Sequence, residues 1–368
     1  MNGMGPNEYR ERTYALAVRD ARSVLPDGDV TAAAEAQGPG LLEGVQQELA
    51  AAWAACGMFE FVALSYLGIS SALILLFAEN VAHPVRLLAT QALVAGVILA
   101  LCRAEARFVA SEKFAWSAQE QSCPGAASQP TFAERFWHFW RHWYPHLFFL
   151  FCFEEMGKLV HLVQPGWQDA KLLAFDRWLM GVNPSLWLER LAHPALTEFM
   201  EFSYFTYFLF LLILGAILYH RREWRSYWAV MTYSVVGYSL GYVIATVFPV
   251  QSPWFTLAGM WHADLAGGPF TALINVIEKC GRVHGAAFPS QHVAGAMSAL
   301  WGAWRHRRWL FWMFLPFVLC MDVSTVYVRN HYVADVLGGL LTGTLGYFIG
   351  AWILRHSTPE RTGDAATL

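Results

Sequence analysis

The sequence predicts an all-α protein, a polytopic bundle of transmembrane helices, and three observations predict it. Apolar residues make up 56% of the 368 and charged residues only 14%, against roughly 25% charged in an ordinary soluble domain. Aromatic residues reach 15%, which suits interfacial belts as well as cores. Finally, about eight apolar stretches are long enough, or nearly so, to cross a bilayer. They lie near 58–78, 84–102, 143–163, 195–219, 226–249, 290–304, 309–327 and 332–354. This composition excludes a set of soluble domains. A formal charge of −3 without a basic tract gives no basis for nucleic-acid binding.

Taken in order, residues 1–40 read as a polar N-terminal tail, with no apolar stretch behind a basic start as a signal peptide would have. The first two spans are joined by a few residues including Pro84 and read as an N-terminal helical hairpin over 41–105. The stretch 106–130, with Cys123-Pro124-Gly125, reads as a linker. A six-helix core is expected over 131–355 and a polar tail over 356–368. The span at 290–304 is marginal, because it is short and opens on Ser290, Gln291 and His292. No repeat of fixed period is present.

Basic residues orient the bundle. Arg221, Arg222 and Arg225, then Arg305, Arg307 and Arg308, fall in short connections on one side, together with the linker and the tail from Arg355. The positive-inside bias makes that side cytoplasmic, with both termini inside and the longer loop 250–289 outside. Without sorting signals, a bacterial inner membrane is the expected location.

The six cysteines form no CxxC pair and mostly sit in apolar runs, so neither a disulfide framework nor a zinc site is expected. His138, His142 and His146 recur at helical spacing. Pro145 is expected to interrupt a helix there, and the surrounding Trp137, Trp140, Trp143 and Tyr144 favour an interfacial entry into the third span over a metal site. No cofactor or metal is expected. Glu154 and Lys158 are an i,i+4 pair inside the third span, read first as mutually neutralising and second as part of a cavity. Asp322 has the same two readings. Lys279 and Arg282 read as solvated loop charges.

Two polar clusters interrupt the last third: Pro289-Ser290-Gln291-His292, and Ser324-Thr325 through Arg329-Asn330-His331 to Asp335. By the orientation above they open the sixth and eighth spans at the same, outward face. His331 and Asp335 are four apart and share a helix face. The carboxylate can hold the proton of one imidazole nitrogen and leave the other as a nucleophile. Pro289 suits a first helical turn and Ser290 a cap, whose free N–H groups attract phosphate oxygens. Ser290, Gln291 and Arg329 are thus candidate phosphate contacts, and His292 a candidate acid. Ser290 as a cap alone and Arg329 as a lipid-headgroup contact are equally open readings.

Together these clusters resemble the type-2 phosphatidic acid phosphatase superfamily, whose second and third motifs read Pro-Ser-x-His and Ser-Arg-x5-His-x3-Asp. The arginine of the third motif is Thr325 here. The first motif, Lys-x6-Arg-Pro, is absent, and Phe248-Pro249-Val250-Gln251-Ser252-Pro253-Trp254 stands in its place. That stretch, Thr325-x-Tyr327-x3-His331-Tyr332 and, less diagnostically, Glu201 to Tyr207 look like the inositol phosphorylceramide synthase branch. The resemblance covers about 130–355. It implies that His331 attacks phosphorus, Asp335 orients it, and His292 is the acid and later the base. It implies metal-independent transfer of a phospho-headgroup, phosphoinositol-like, from a glycerophospholipid to a lipid alcohol such as ceramide, with lipid substrates drawn from the bilayer. Losing the first-motif cations moves the expected substrate from a phosphomonoester toward a less charged phosphodiester. A lipid phosphate or prenyl pyrophosphate phosphatase with the same site, and a non-catalytic membrane protein with this fold, remain the alternatives.

Overall fold

A computed structural model describes residues 41–108 and 131–357, so most of the expected linker and of both tails lie outside the described residues. The chain divides into two units, Met1–Leu49 and Ala50–Leu368. Apart from residues 41–49 of the first helix, all residues discussed below belong to the second.

The described helices, in chain order, are α1 (Leu41–Ala54), α2 (Met58–Leu76), α3 (Pro84–Phe108), α4 (Phe132–Leu159), α5 (Asp169–Met180), α6 (Pro184–Leu188), α7 (Pro194–Phe205) and α8 (Tyr207–His220). They continue with α9 (Trp224–Val247), α10 (Pro253–Thr256), α11 (Pro269–Gly281), α12 (Gln291–His306), α13 (Arg308–Tyr327) and α14 (Val333–His356). No strand is present among the described residues. Six spans are long and apolar enough to cross a membrane: α2, α3, α7 with α8, α9, α13 and α14.

The other two expected spans are helices of a different kind. α4 is 28 residues long and carries Glu134, Arg135, Arg141, Glu154, Glu155 and Lys158. α12 has 16 residues, about 24 Å of helix against a hydrocarbon core of roughly 30 Å. Its small residues Ala294, Gly295, Ala296, Ala299 and Ala303 let neighbours close around it. Pro145 does not interrupt α4, which runs through it. A proline costs one helical bond, at the carbonyl four residues back. Here packing holds the turn: Tyr144 is buried, and the Tyr227 hydroxyl donates to the His142 carbonyl.

The core is a three-helix contact of α9, α12 and α14. It is close because α14 presents glycine where the backbones meet. A Cβ on Gly343 would lie 2.5 Å from the Ala294 carbonyl oxygen, and one on Gly339 2.6 Å from that of Ser290. α7 and α8 form one span broken at Thr206, whose hydroxyl donates to the Ser203 carbonyl at 2.6 Å. The break turns Tyr204 and Tyr207, on either side of it, toward the start of α12.

Among the helices that fall where the sequence shows no span, α5 and α11 bear on the site. α5 is amphipathic and too short to cross. Its Asp176 accepts from the backbone N–H groups of Val333 and Ala334, both at 2.9 Å, and so caps α14. α11 lies within the stretch read as an outward loop. Glu198 receives the N–H groups of Gly268, Phe270 and Thr271 at 2.6, 2.7 and 3.2 Å, which nucleates it.

Candidate active site

The starts of α12 and α14 lie side by side. Ser290 is the N-cap of α12, so Pro289 precedes the cap rather than occupying the first helical turn. The Ser290 hydroxyl accepts from the Val293 N–H at 3.4 Å, and its own N–H donates to the Asp335 carbonyl at 3.0 Å. That bond ties the two motifs together directly.

Four side chains form a continuous hydrogen-bonded row. Nδ1 of His331 lies 3.2 Å from Oδ2 of Asp335, which also receives the Tyr332 N–H at 2.8 Å. Nε2 of His331 lies 3.3 Å from Nδ1 of His292, and Nε2 of His292 lies 2.8 Å from the Tyr204 hydroxyl. One set of tautomers satisfies every link. Tyr204 donates to His292, His292 donates through Nδ1 to Nε2 of His331, and His331 donates through Nδ1 to Asp335. This leaves the lone pair of His331 on Nε2, facing His292. Burial first, and then neighbouring His292, hold His331 well below the usual imidazole value, while the Ala287 carbonyl works the other way. Asp335 is wholly buried and His331 5% exposed, so the carboxylate and its partner are sealed from bulk water.

His292 and His331 open onto a cavity of about 510 Å³, within the range of small-molecule sites. Its walls are mostly apolar and aromatic, among them Phe149, Phe153, Leu211, Tyr238 and Tyr242. Gln251, Ser252, Arg282, Gln291 and Asn330 supply polar edges. Arg282 is the only Lys or Arg among the described lining residues. It pairs with Glu278 and lies 4.3 Å over the Trp254 ring. Asn330 donates to Glu278 at 2.7 Å. Arg282 is therefore a cavity residue and not a solvated loop charge.

The expected phosphate contacts separate. Gln291 lines the cavity and has a buried Oε1 without a hydrogen-bond partner. Ser290 is fully buried at its cap and does not line the cavity. Arg329 also turns away: its guanidinium donates to the Ala263 carbonyl at 2.6 Å and lies 4.1 Å over Trp261. It sits at a left-handed φ of 68°, where its carbonyl receives the Trp254 N–H at 2.8 Å. The physical reason is that the turn after Tyr327 folds back on the Thr325 carbonyl, which accepts from both Asn330 and His331. This aims His331 inward and the preceding arginine outward. Glu154 also lines the cavity, and it forms no ion pair with Lys158. The buried acid of that pair of glutamates is Glu155, which accepts from Gln91 at 2.9 Å.

Tyr204 and Asp169 carry parts of the site that the motifs do not mark. Tyr204 is 88 residues from His292 in the chain. Asp169, at the start of α5, receives the N–H groups of Gln251 and Ser252 at 3.0 and 3.3 Å, and the hydroxyls of Thr256 and Tyr332 at 2.7 and 2.9 Å. It holds the Gln251–Thr256 turn against the start of α14. Asp169 showed in the sequence only as an acid between two spans, and Tyr204 only as one tyrosine of the less diagnostic stretch from Glu201 to Tyr207.

The fold and this row of side chains define a membrane-embedded helical protein with a histidine pair and a buried carboxylate beside an apolar cavity. Residues 170–349, just under half of the chain, match the family model of the PAP2 superfamily. The matched segment contains the whole row from Tyr204 to Asp335. The match and the membrane-spanning helices fit a membrane lipid phosphatase or phosphotransferase. No curated protein and no solved structure matches the chain.

Proposed function

We propose that the chain is a lipid phosphotransferase that moves a phospho-headgroup, phosphoinositol-like, from a glycerophospholipid to a lipid alcohol such as ceramide. The observation that carries this reading is the charge of the cavity. Its single described cation, Arg282, is already paired with Glu278, and Glu154 adds another acid. A phosphomonoester or pyrophosphate brings two or more negative charges into apolar surroundings, where each needs a partner. A phosphodiester brings one.

The donor's phosphate enters between the two imidazoles and replaces their 3.3 Å contact. His331 attacks phosphorus through Nε2, forming an N–P bond while the P–O bond to diacylglycerol breaks. His292 gives its Nδ1 proton to the departing oxygen. Asp335 holds the Nδ1 proton of His331 and stabilises the charge that develops on the ring. The acceptor hydroxyl then attacks phosphorus, His292 takes its proton, and His331 is released. The apolar walls hold acyl chains and exclude water, which favours an alcohol over hydrolysis. The arginines at 221–225 and 305–308 lie at the opposite ends of the helices from His292 and His331, which supports an extracytoplasmic site with cytoplasmic termini.

The test is a labelled donor lipid in detergent or vesicles, with and without a hydroxylated acceptor lipid. Transfer predicts labelled acceptor and little free phosphate or free headgroup phosphate. Equal release of free phosphate or of headgroup phosphate in both arms removes the transferase reading in favour of a lipid hydrolase. Full turnover by His331→Ala removes the mechanism.

A further inference from the structure

A second cluster of ligating side chains lies outside the lining of the cavity. His138 and His142 stand one turn apart on α4, with ring centroids 4.3 Å apart. Glu105, near the end of α3, faces them: one oxygen lies 3.5 Å from Nδ1 of His138. One ligand atom from each of Glu105, His138 and His142 falls within 4.8 Å of the others. We propose that these three residues bind a first-row divalent cation, zinc by preference.

Four features of the cluster favour an ion. First, Nδ1 of His142 lies 2.8 Å from the His138 carbonyl, so that nitrogen carries the proton and donates it. The lone pair is thereby fixed on Nε2, which is buried and has no hydrogen-bond partner among the described residues. His142 is 3% exposed, so bulk water does not reach that nitrogen. A backbone carbonyl that fixes the tautomer is how proteins present an imidazole to a metal. Second, two histidines at i,i+4 with a carboxylate from another helix is a donor set suited to zinc, which leaves a fourth position for water.

Third, Glu105 is held without being used up. Its Oε2 meets Nε of Arg141 at 3.1 Å, which leaves Oε1 turned to the histidines. Fourth, acids gather at the cluster. Arg141 faces two carboxylates, Glu105 and the fully buried Glu60, the latter at 2.8 Å. Such a pairing of two carboxylates with one guanidinium favours a cation beside it. Zinc–ligand bonds of about 2.0–2.2 Å place donors roughly 3.3 Å apart, so modest side-chain rotations close the set.

His138 and His142 also make ring contacts with Trp224, at 4.7 and 4.8 Å. The preceding residue, Glu223, pairs with Arg307. That places the cluster at the end of the bundle opposite His292 and His331. A bound ion would thus clasp the end of α3 to α4 across residues 109–130 and take no part in phosphoryl chemistry. His146, the third histidine of the sequence pattern, is not a member; Glu105 takes its place.

The full-length protein, purified in detergent and stripped with a chelator, is loaded with zinc and its metal content measured by mass spectrometry. Cobalt(II) serves as a second, spectroscopic probe. The expected result is about one ion per chain and visible absorption bands of a four-coordinate nitrogen and oxygen site. Glu105→Gln, on a partly exposed side chain, and His142→Ala are each expected to weaken binding by at least tenfold, on the order of ligand-shell losses. His161→Ala, at a half-buried histidine outside the cluster, keeps full stoichiometry. Failure of the unaltered protein to retain zinc or develop cobalt bands overturns the proposal and leaves a plain Glu105–His138 ion pair. Undiminished binding by folded Glu105→Gln and His142→Ala overturns the assignment of ligands.

Discussion

The hydroxyl of Tyr204 gives the sharpest test of the proposed proton transfers. Its ring packs on His292 at 5.0 Å between centroids and its hydroxyl reaches Nε2 at 2.8 Å. Tyr204→Phe keeps the ring and removes only the donor. His292 then loses the bond that reserves Nε2 as an acceptor and keeps the proton on Nδ1. Leaving one buried partner unsatisfied costs about 1–3 kcal/mol. If that cost falls on the transition state, turnover drops by about 5- to 150-fold. Tyr207→Phe is the matched control, because its ring also packs on His292, at 4.7 Å, while its hydroxyl meets Tyr238 at 3.0 Å. The assay is transfer from two donors that share a headgroup, one with an alkoxide and one with a nitrophenolate leaving group. A poor leaving group needs the proton from His292 and a good one does not. The Tyr204→Phe defect should therefore appear with the alkoxide and nearly vanish with the nitrophenolate. A Tyr204→Phe enzyme within twofold of the unaltered one on the alkoxide donor, or an equal defect with both donors, refutes the reasoning.

Five further outcomes are expected. Asp335→Asn takes away the charged acceptor of His331 Nδ1 and should lower turnover by about 10²–10⁴-fold, read together with loss of a radiolabelled phosphohistidine. Because burial and His292 hold His331 below its usual value of 6.5, the neutral nucleophile persists as pH falls, and the acid limb of kcat should lie below that value. The same shift means the unfolded chain binds the proton first. Stability should therefore fall as pH drops below about 6.5, with a shallower slope in His331→Asn melting curves. Gly343→Leu, placed where even a Cβ meets the Ala294 carbonyl oxygen at 2.5 Å, should cost about 1–3 kcal/mol or more and lower the melting temperature in detergent. Asp176→Ala removes both caps at Val333 and Ala334 and should cost about 1–2 kcal/mol, measured in the same way.

The spans were legible because a helix crossing lipid must be long and apolar, a signal each segment carries by itself. The same reasoning failed at α5 and α11, which are too short to span and whose polar faces read as loop. Their place is set by Asp176, Asp169 and Glu198, whose partners lie 70 to 163 residues away. At the site, His331 and Asp335 were legible because their four-residue spacing is local. His292 became linked to them only through the shared membrane face. Tyr204 was not legible, since nothing in an aromatic run says which hydroxyl meets a histidine 88 residues on. Arg329 shows the opposite failure. Its position two residues before His331 invites a role at phosphate, but the left-handed turn at that residue sends the two side chains apart. The histidine pair at 138 and 142 read as an interfacial belt until α3 brought Glu105 beside it.

The departures from the motif pattern fit together once the charges around the cavity are counted. Thr325, where the third motif has arginine, is fully buried, and its hydroxyl donates to the Asp322 carbonyl at 2.8 Å. A guanidinium there would need both space and a counter-charge. The Gln251–Thr256 turn, where the first motif's cations are missing, is held by Asp169 through four hydrogen bonds. An added lysine on that turn would compete with those donors for the same carboxylate. Arg329 is occupied by the 261–263 loop. Three positions that could have carried positive charge to the phosphate are thus each committed to something else, and among the described lining residues Arg282 alone remains, already paired. Restoring one cation by substitution should therefore disturb a structural contact before it improves anion binding. For that reason the low charge of the cavity is a property of its whole construction, and it is the property on which the proposed phosphodiester substrate rests.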